Sequence, residues 1–251
     1  MIIDNCKRAA LKRSANAMKR HIRLVMTTCL AMTACFVFTS SAKAQRNEVL
    51  SPDIASLQVT ADDKWLQMPI MQLGSGSVMN IAFDDLTHEY HRYAYKLEHC
   101  EADWTVSDQL FTSDYCKGFA DGNTIDDMEE SINTSVQYTH YRLQIPNDRC
   151  EPTISGNYRL TVYDDNTQDT VFKACFMIVD QQTAVALGVT TNTDIDINRS
   201  HQQVSMKLGY GAIDVRDHQK EIKTVVLQNG CWTNAVCNAT PQYVKNDGLQ
   251  W

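Results

Sequence analysis

Past Gln45 the dominant hydrophobic period is two. The alternating runs are Ile54-Ala-Ser-Leu57-Gln-Val59, Val78-Met-Asn-Ile81-Ala-Phe83 and Tyr90-His-Arg-Tyr93-Ala-Tyr95-Lys-Leu97-Glu-His99. Tyr138-Thr-His-Tyr141-Arg-Leu143-Gln-Ile145-Pro146, Tyr158-Arg-Leu160-Thr-Val162-Tyr163 and Phe172-Lys-Ala-Cys-Phe176-Met-Ile178-Val179 continue the pattern. Each is short, rich in β-branched and aromatic residues, and reads as a strand. Breakers separate them: Gly74-Ser-Gly76, Asp84-Asp85, Pro146-Asn147-Asp148, Ser155-Gly156-Asn157 and Asp164-Asp165-Asn166. Alternation of this kind suits antiparallel strands with one wet face, whereas buried parallel strands read as unbroken apolar blocks. About seven such strands predict an all-β fold, an immunoglobulin-like antiparallel β-sandwich.

Two stretches depart from that pattern. Asp103 to Ser131 is long, acidic and dotted with aromatics, and long irregular segments in compact domains are often binding segments. Its anchors Trp104, Phe111, Tyr115 and Phe119 make it a packed loop and the candidate protein-binding surface, because Trp and Tyr are enriched where partners meet. Each of the four is equally a candidate for the core. Around Gln181-Gln182-Thr183 the alternation lapses and restarts at Leu187-Gly-Val189, Gln203–Tyr210 and Thr224–Gln228. Residues 45–182 are therefore expected to form one β-sandwich domain and 183–251 a partial second one, truncated at Trp251. Such a part-sandwich exposes edges and an apolar face that a partner would have to cover.

The N-terminal stretch is of another kind. Leu24 to Phe38 is apolar and uncharged, follows Lys19, Arg20 and Arg23, and is followed by Ala42-Lys43-Ala44. That order of basic, apolar and small-residue regions reads as a secretory signal peptide over residues 1–44, cleaved after Ala44, with Met1 or Met18 as the start. The run is shorter than the ~20 residues a membrane-spanning helix needs. Met32-Thr33-Ala34 before Cys35 is a weak match to a lipidation site.

Removing that segment changes both charge and cysteine arithmetic. The 251 residues carry 23 basic and 30 acidic side chains, but eight of the basic and one of the acidic precede Gln45. The remainder holds 15 basic and 29 acidic residues, a net of −14, which repels phosphate backbones and argues against nucleic acid as a partner. Six of the nine cysteines remain: Cys100, Cys116, Cys150, Cys175, Cys231 and Cys237. In an oxidising compartment an even count invites disulfides, and six cysteines leave 15 connectivities open. No CxxC pair occurs, so zinc or dithiol redox chemistry has little support.

Three segments carry a resemblance. They are Tyr95-Lys-Leu-Glu-His-Cys-Glu-Ala-Asp-Trp104, Tyr138-Thr-His-Tyr-Arg-Leu-Gln-Ile-Pro-Asn147 and Ser155-Gly-Asn-Tyr-Arg-Leu-Thr-Val-Tyr163, joined by Gln72-Leu-Gly-Ser-Gly-Ser-Val78 and Phe83-Asp-Asp-Leu86. In this order and spacing they resemble the first domain of the type IX secretion system plug protein of Bacteroidota, over about residues 50–180, with a weaker echo beyond. The resemblance implies a periplasmic β-sandwich protein, associated with the outer membrane, that binds the very large translocon barrel and blocks its periplasmic opening. A wide barrel is not closed by its own side chains, so a rigid domain can do steric work without making or breaking a bond. The resemblance thus implies no enzyme, no cofactor and no membrane span once the leader is gone.

Other chemistry finds little purchase. Glu98 and Cys100 share one strand face and His99 and Glu101 the other, so neither pair reaches the ligand count of a zinc site; the stretch reads as a strand-to-turn cap. His88 and His91 lack the HExxH spacing and read as a solvated pair. Asp62-Asp63, Asp84-Asp85, Asp126-Asp127 and Asp164-Asp165 read as turn formers. No GxSxG, P-loop or GxGxxG is present, so no catalytic or metal residues are assigned. An exported carbohydrate- or protein-binding sandwich module is the alternative reading, and a secreted hydrolase, resting on two carboxylates that converge in space, ranks behind it.

Overall fold

The computed structural model describes residues 47–211 and 213–251; the expected leader, its start site and Cys35 lie outside the described residues. The first strands are β1 (Glu48–Val49), β2 (Ile54–Ala61), β3 (Ile70–Gln72), β4 (Met79–Asp85) and β5 (Tyr93–Cys100). A one-turn helix, α1 (Thr112–Tyr115), leads into β6 (Cys116–Gly118), β7 (Asp121–Thr124), β8 (Asp127–Glu130) and β9 (Thr139–Ile145). Next come β10 (Cys150–Pro152), β11 (Gly156–Asp164) and β12 (Thr170–Val179). The remaining elements are β13 (Ala184–Thr190), β14 (Gln203–Gly209), α2 (His218–Glu221), β15 (Val225–Gln228), β16 (Cys231–Cys237), β17 (Tyr243–Lys245) and β18 (Gly248–Gln250).

Two sheets make the sandwich. One has the order β1-β12-β11-β5-β7, with β3 added beside β12, and the other has the order β2-β4-β9-β8. Within each, period two in the sequence becomes an inward row and an outward row. Met79, Ile81 and Phe83 of β4 lie opposite Ile145, Leu143 and Tyr141 of β9. Leu160 of β11 sits between Leu97 of β5 and Ala174 of β12. These rows meet in a single core. Phe83 stacks on Tyr141 within its own sheet (5.2 Å between ring centroids) and reaches across to Phe172 at 4.8 Å and Tyr93 at 5.4 Å. Fully burying a side chain of this size stabilises a fold by about 1.5–3 kcal/mol, so the rows from β4, β5, β9, β11 and β12 hold the two sheets together. The all-β antiparallel sandwich expected from the alternation is the fold observed.

Three local expectations are corrected. The stretch from Asp103 to Ser131 is more than a packed loop: it contains α1, β6, β7 and β8, and β7 and β8 become neighbours of β5 and β9. β3 pairs in parallel with β12, a departure from the purely antiparallel reading. His91 is no solvated partner of His88. Its ring is half-buried, with Nδ1 3.1 Å from Asp164 Oδ2, and it stacks at 5.7 Å on Tyr93. The physical reason is that Tyr93 starts an inward row, which draws the residue two before it onto the same surface.

Past residue 183 the strands form a sheet of order β13-β14-β18-β17 and a separate β15-β16 hairpin. Here burial is sparse, with Tyr210 and Leu249 the large apolar side chains buried among the described residues. Every residue of β13 is exposed, including Val185, Leu187 and Val189, which share one face with their cross-strand partners Leu208, Met206 and Val204. Among the described residues no helix is long and apolar enough to cross a membrane.

Candidate functional site

The segment between β5 and β8 is built from the end of β5 outward. After Cys100 the chain turns tightly: Trp104 N–H donates to Glu101 O, and the Asp103 carboxylate accepts from Thr105 N–H (3.1 Å) and Oγ1 (2.6 Å). Trp104 has φ +65 in this turn. Its indole is buried, 6% exposed, and meets Trp232 of β16 edge to face with centroids 6.2 Å apart. The indole Nε1 is buried without a hydrogen-bond partner.

The chain then reaches α1. Phe111 N–H donates to the Asp114 carboxylate at 2.8 Å, which fixes the entry to the turn. Tyr115, at the other end, is buried and its hydroxyl donates to Leu97 O at 3.2 Å. Burial raises its phenol pKa above the ordinary value. β6 pairs with β10, Phe119 N–H donates to Arg149 O and Leu97 N–H to Ala120 O, so the segment is stitched to the sandwich on both sides.

The four sequence candidates therefore divide. Tyr115 is buried in the sandwich core and Trp104 is buried against Trp232, whereas Phe111 is 77% and Phe119 73% exposed. Thr112, Ser113, Lys117, Gly118, Phe119 and Asp121 border an open cleft, so the helix turn after Phe111 and the Phe119 turn flank one concavity. Two exposed phenylalanines on a segment fastened by backbone hydrogen bonds form a rigid apolar feature, the kind of feature that marks an interaction site. Trp65 (75% exposed) and Leu66 (80% exposed), between β2 and β3, are a second apolar projection that sequence reasoning missed. The available signal was an apolar pair following the turn-forming Asp62-Asp63.

Charges around this surface are mostly paired. Lys117 meets Glu151 at 3.0 Å and Arg149 meets Asp126 at 2.6 Å. Glu98 is shared between Lys96 and Arg159, both at 2.9 Å. Burial pushes the Glu98 carboxyl upward, but hydrogen bonds from those two cations outweigh it and hold it below the usual carboxylate range. Burial raises the Cys100 thiol to about 11, so it is a poor nucleophile. Among the described residues no three His, Cys, Asp or Glu side chains converge as metal ligands. His99, singled out beside Cys100, contacts Ser107 Oγ at 2.8 Å through Nδ1.

The segments that carry the resemblance turn out to be joints between strands. Asn157 donates to Glu101 O at 2.9 Å, Arg159 clasps Glu98, and Asn147 Nδ2 donates to Tyr95 Oη at 3.0 Å. A side chain at Gly156 would run into the His99 imidazole, so the glycine lets β11 close against that ring. Among the paired acids, Asp164 accepts backbone N–H groups from Asn166 and Thr167 and Asp85 accepts from Thr87 N–H. Asp85 also lies fully buried and accepts from Tyr93 Oη at 2.9 Å.

A family model described as the first domain of the type 9 secretion system plug protein matches residues 54–180, the stretch from the start of β2 to just past β12. The chain is also similar to a crystal structure of a hypothetical protein from Parabacteroides merdae ATCC 43184. The two share 38% identity with a TM-score of 0.78, over 82% of this chain and 52% of the other. The chain thus spans about half the length of that solved protein. No curated protein matches it.

Proposed function

This chain belongs to the type 9 secretion system plug family through its first domain, and from that membership we propose that it is a non-enzymatic part of the secretion apparatus. It binds the outer-membrane translocon barrel and blocks its periplasmic opening. The observation that carries this reading is the extent of the family match, which takes in every strand from β2 to β12. Supporting it is a core of interlocked aromatic rings, which gives the domain the stiffness a stopper needs. The work asked of it is exclusion of volume, with affinity supplied by surface anchors. Phe111 and Phe119 are the anchors assigned to the barrel, with Tyr115 holding their segment to the core and Trp104 packed against Trp232.

On this reading residues 1–44 direct export to the periplasm and are removed, 45–182 are the plug-type sandwich, and 183–251 are part of a second β domain. The test is affinity capture of the tagged chain from detergent extracts of the outer membrane. A large barrel protein is recovered with the wild-type chain and reduced with F111S/F119S; recovery of none from the wild type contradicts the proposal. The cleft bordered by Phe119 and by the turn after Phe111 favours one other reading, an exported carbohydrate-binding module. That reading predicts glycan binding that quenches with the same double substitution, and the plug reading predicts none.

A further inference from the structure

We infer that Cys116 and Cys150 form a disulfide that locks the α1–β6 segment to β10. Their Sγ atoms lie 3.0 Å apart, about 1 Å beyond a formed S–S bond, and both residues are buried, Cys150 completely. They stand on paired strands: Cys150 is opposite Gly118 and Cys116 opposite Pro152, so the two cysteines are diagonal neighbours pointing to the same face. Gly118 makes the approach possible. It has φ +98, and a Cβ there would collide with the Arg149 carbonyl. The absence of a side chain thus lets the turn before β10 settle against β6 and bring Cys150 beside Cys116.

The surroundings separate this pair from the other four described cysteines. Near it are Tyr95, Tyr115 and Tyr158, whose phenols are raised by burial with a contribution from Cys116. Cys231 and Cys237 are exposed at opposite ends of β16, and Cys100 and Cys175 share a sheet face with Arg159. Burial, together with the Cys116 neighbour, raises the Cys150 thiol well above its ordinary value. In the folded chain few thiolates are available to attack an oxidant, so the bond forms while the segment is still open and is shielded afterwards.

The chemistry balances as thiol–disulfide exchange. One thiolate attacks a disulfide oxidant, either a protein of the oxidising compartment or a small molecule such as oxidised glutathione, and releases one thiolate from it. The second cysteine then attacks the mixed disulfide. The Cys116–Cys150 bond is made, two protons and two electrons leave the pair, and the oxidant becomes two thiols. The closed loop spans 34 positions, long enough for a cross-link to restrict the unfolded chain substantially.

The test takes the full chain exported in its bacterial host, quenched with iodoacetamide under denaturing, non-reducing conditions. Digestion with trypsin and Asp-N, which cuts between Cys100 and Cys116 at Asp103, Asp108 and Asp114, isolates the peptides for mass spectrometry. The expected result is a linked pair, Asp114–Lys117 joined to Cys150–Arg159, lighter by two hydrogens than the separate peptides and released by reductant. Reduction is also expected to lower the Tm by about 10 °C, a shift absent in C116S/C150S. Alkylated Cys116 and Cys150 in the unreduced sample, or either one linked to a different cysteine, overturns the inference.

Discussion

The sandwich from β2 to β12 and the strands after residue 183 use the same amino acids in the same alternation, but the first buries whole rows of them and the second buries few beyond Tyr210 and Leu249. In β4 and β9 the apolar row is inward on both sides of a closed core, whereas in β13 the row Val185, Leu187, Val189 faces out. Period two therefore specifies a strand and its two faces, and it takes a second sheet to decide whether the apolar face is a core. In the first region that second sheet comes from the same chain. In the second, the four-stranded sheet presents the apolar row of β13 outward.

The comparison breaks most directly at Phe83, which touches both sheets. F83A is expected to destabilise the chain by about 3–5 kcal/mol in urea titration, enough to unfold many domains of this size; a loss below about 1 kcal/mol would mean the rings are not interlocked. Acid sharpens the same contrast. Glu98 is held below its unfolded-state value near ~4.3 by Lys96 and Arg159. Its contribution is therefore present above that value and lost as the pH falls through the lower folded value. E98Q is expected to flatten the decline in Tm below about pH 4.3 while leaving β13 to β18 unaffected.

Trp104 against Trp232 joins the two regions. A double-mutant cycle with W104A and W232A is expected to give a coupling of about 0.5–1.5 kcal/mol; a coupling of zero would make the second region an independent unit. The smallest effect is expected at Leu187. L187S changes stability by less than about 0.5 kcal/mol but lowers binding of an apolar dye, whereas a loss above 2 kcal/mol would show that β13 is covered in solution.

The inward rows were legible in the sequence because buried alternation is written in residue type. The polar edge strands were not. β8 is Asp-Met-Glu-Glu and fully exposed, and β7 is Asp-Gly-Asn-Thr with one buried residue. Their strand state comes from hydrogen bonds to β9 and β5, which composition does not record. The same limit divided the four aromatic candidates. Trp104, Phe111, Tyr115 and Phe119 are alike in hydrophobicity, and only the path of the chain buries two and exposes two. Nothing local in the sequence marks His91 as partnered, because Asp164, which holds its ring, lies 73 positions away.

The central claim is that this chain works by occupying an opening. Outer-membrane permeability to vancomycin, measured in host cells lacking the gene and in cells complemented with the wild-type chain, tests it most directly. Sensitivity to the drug rises on deletion and returns to the parental level on complementation if the account is right. Unchanged sensitivity in the deletion strain, with the translocon barrel still present, would contradict it.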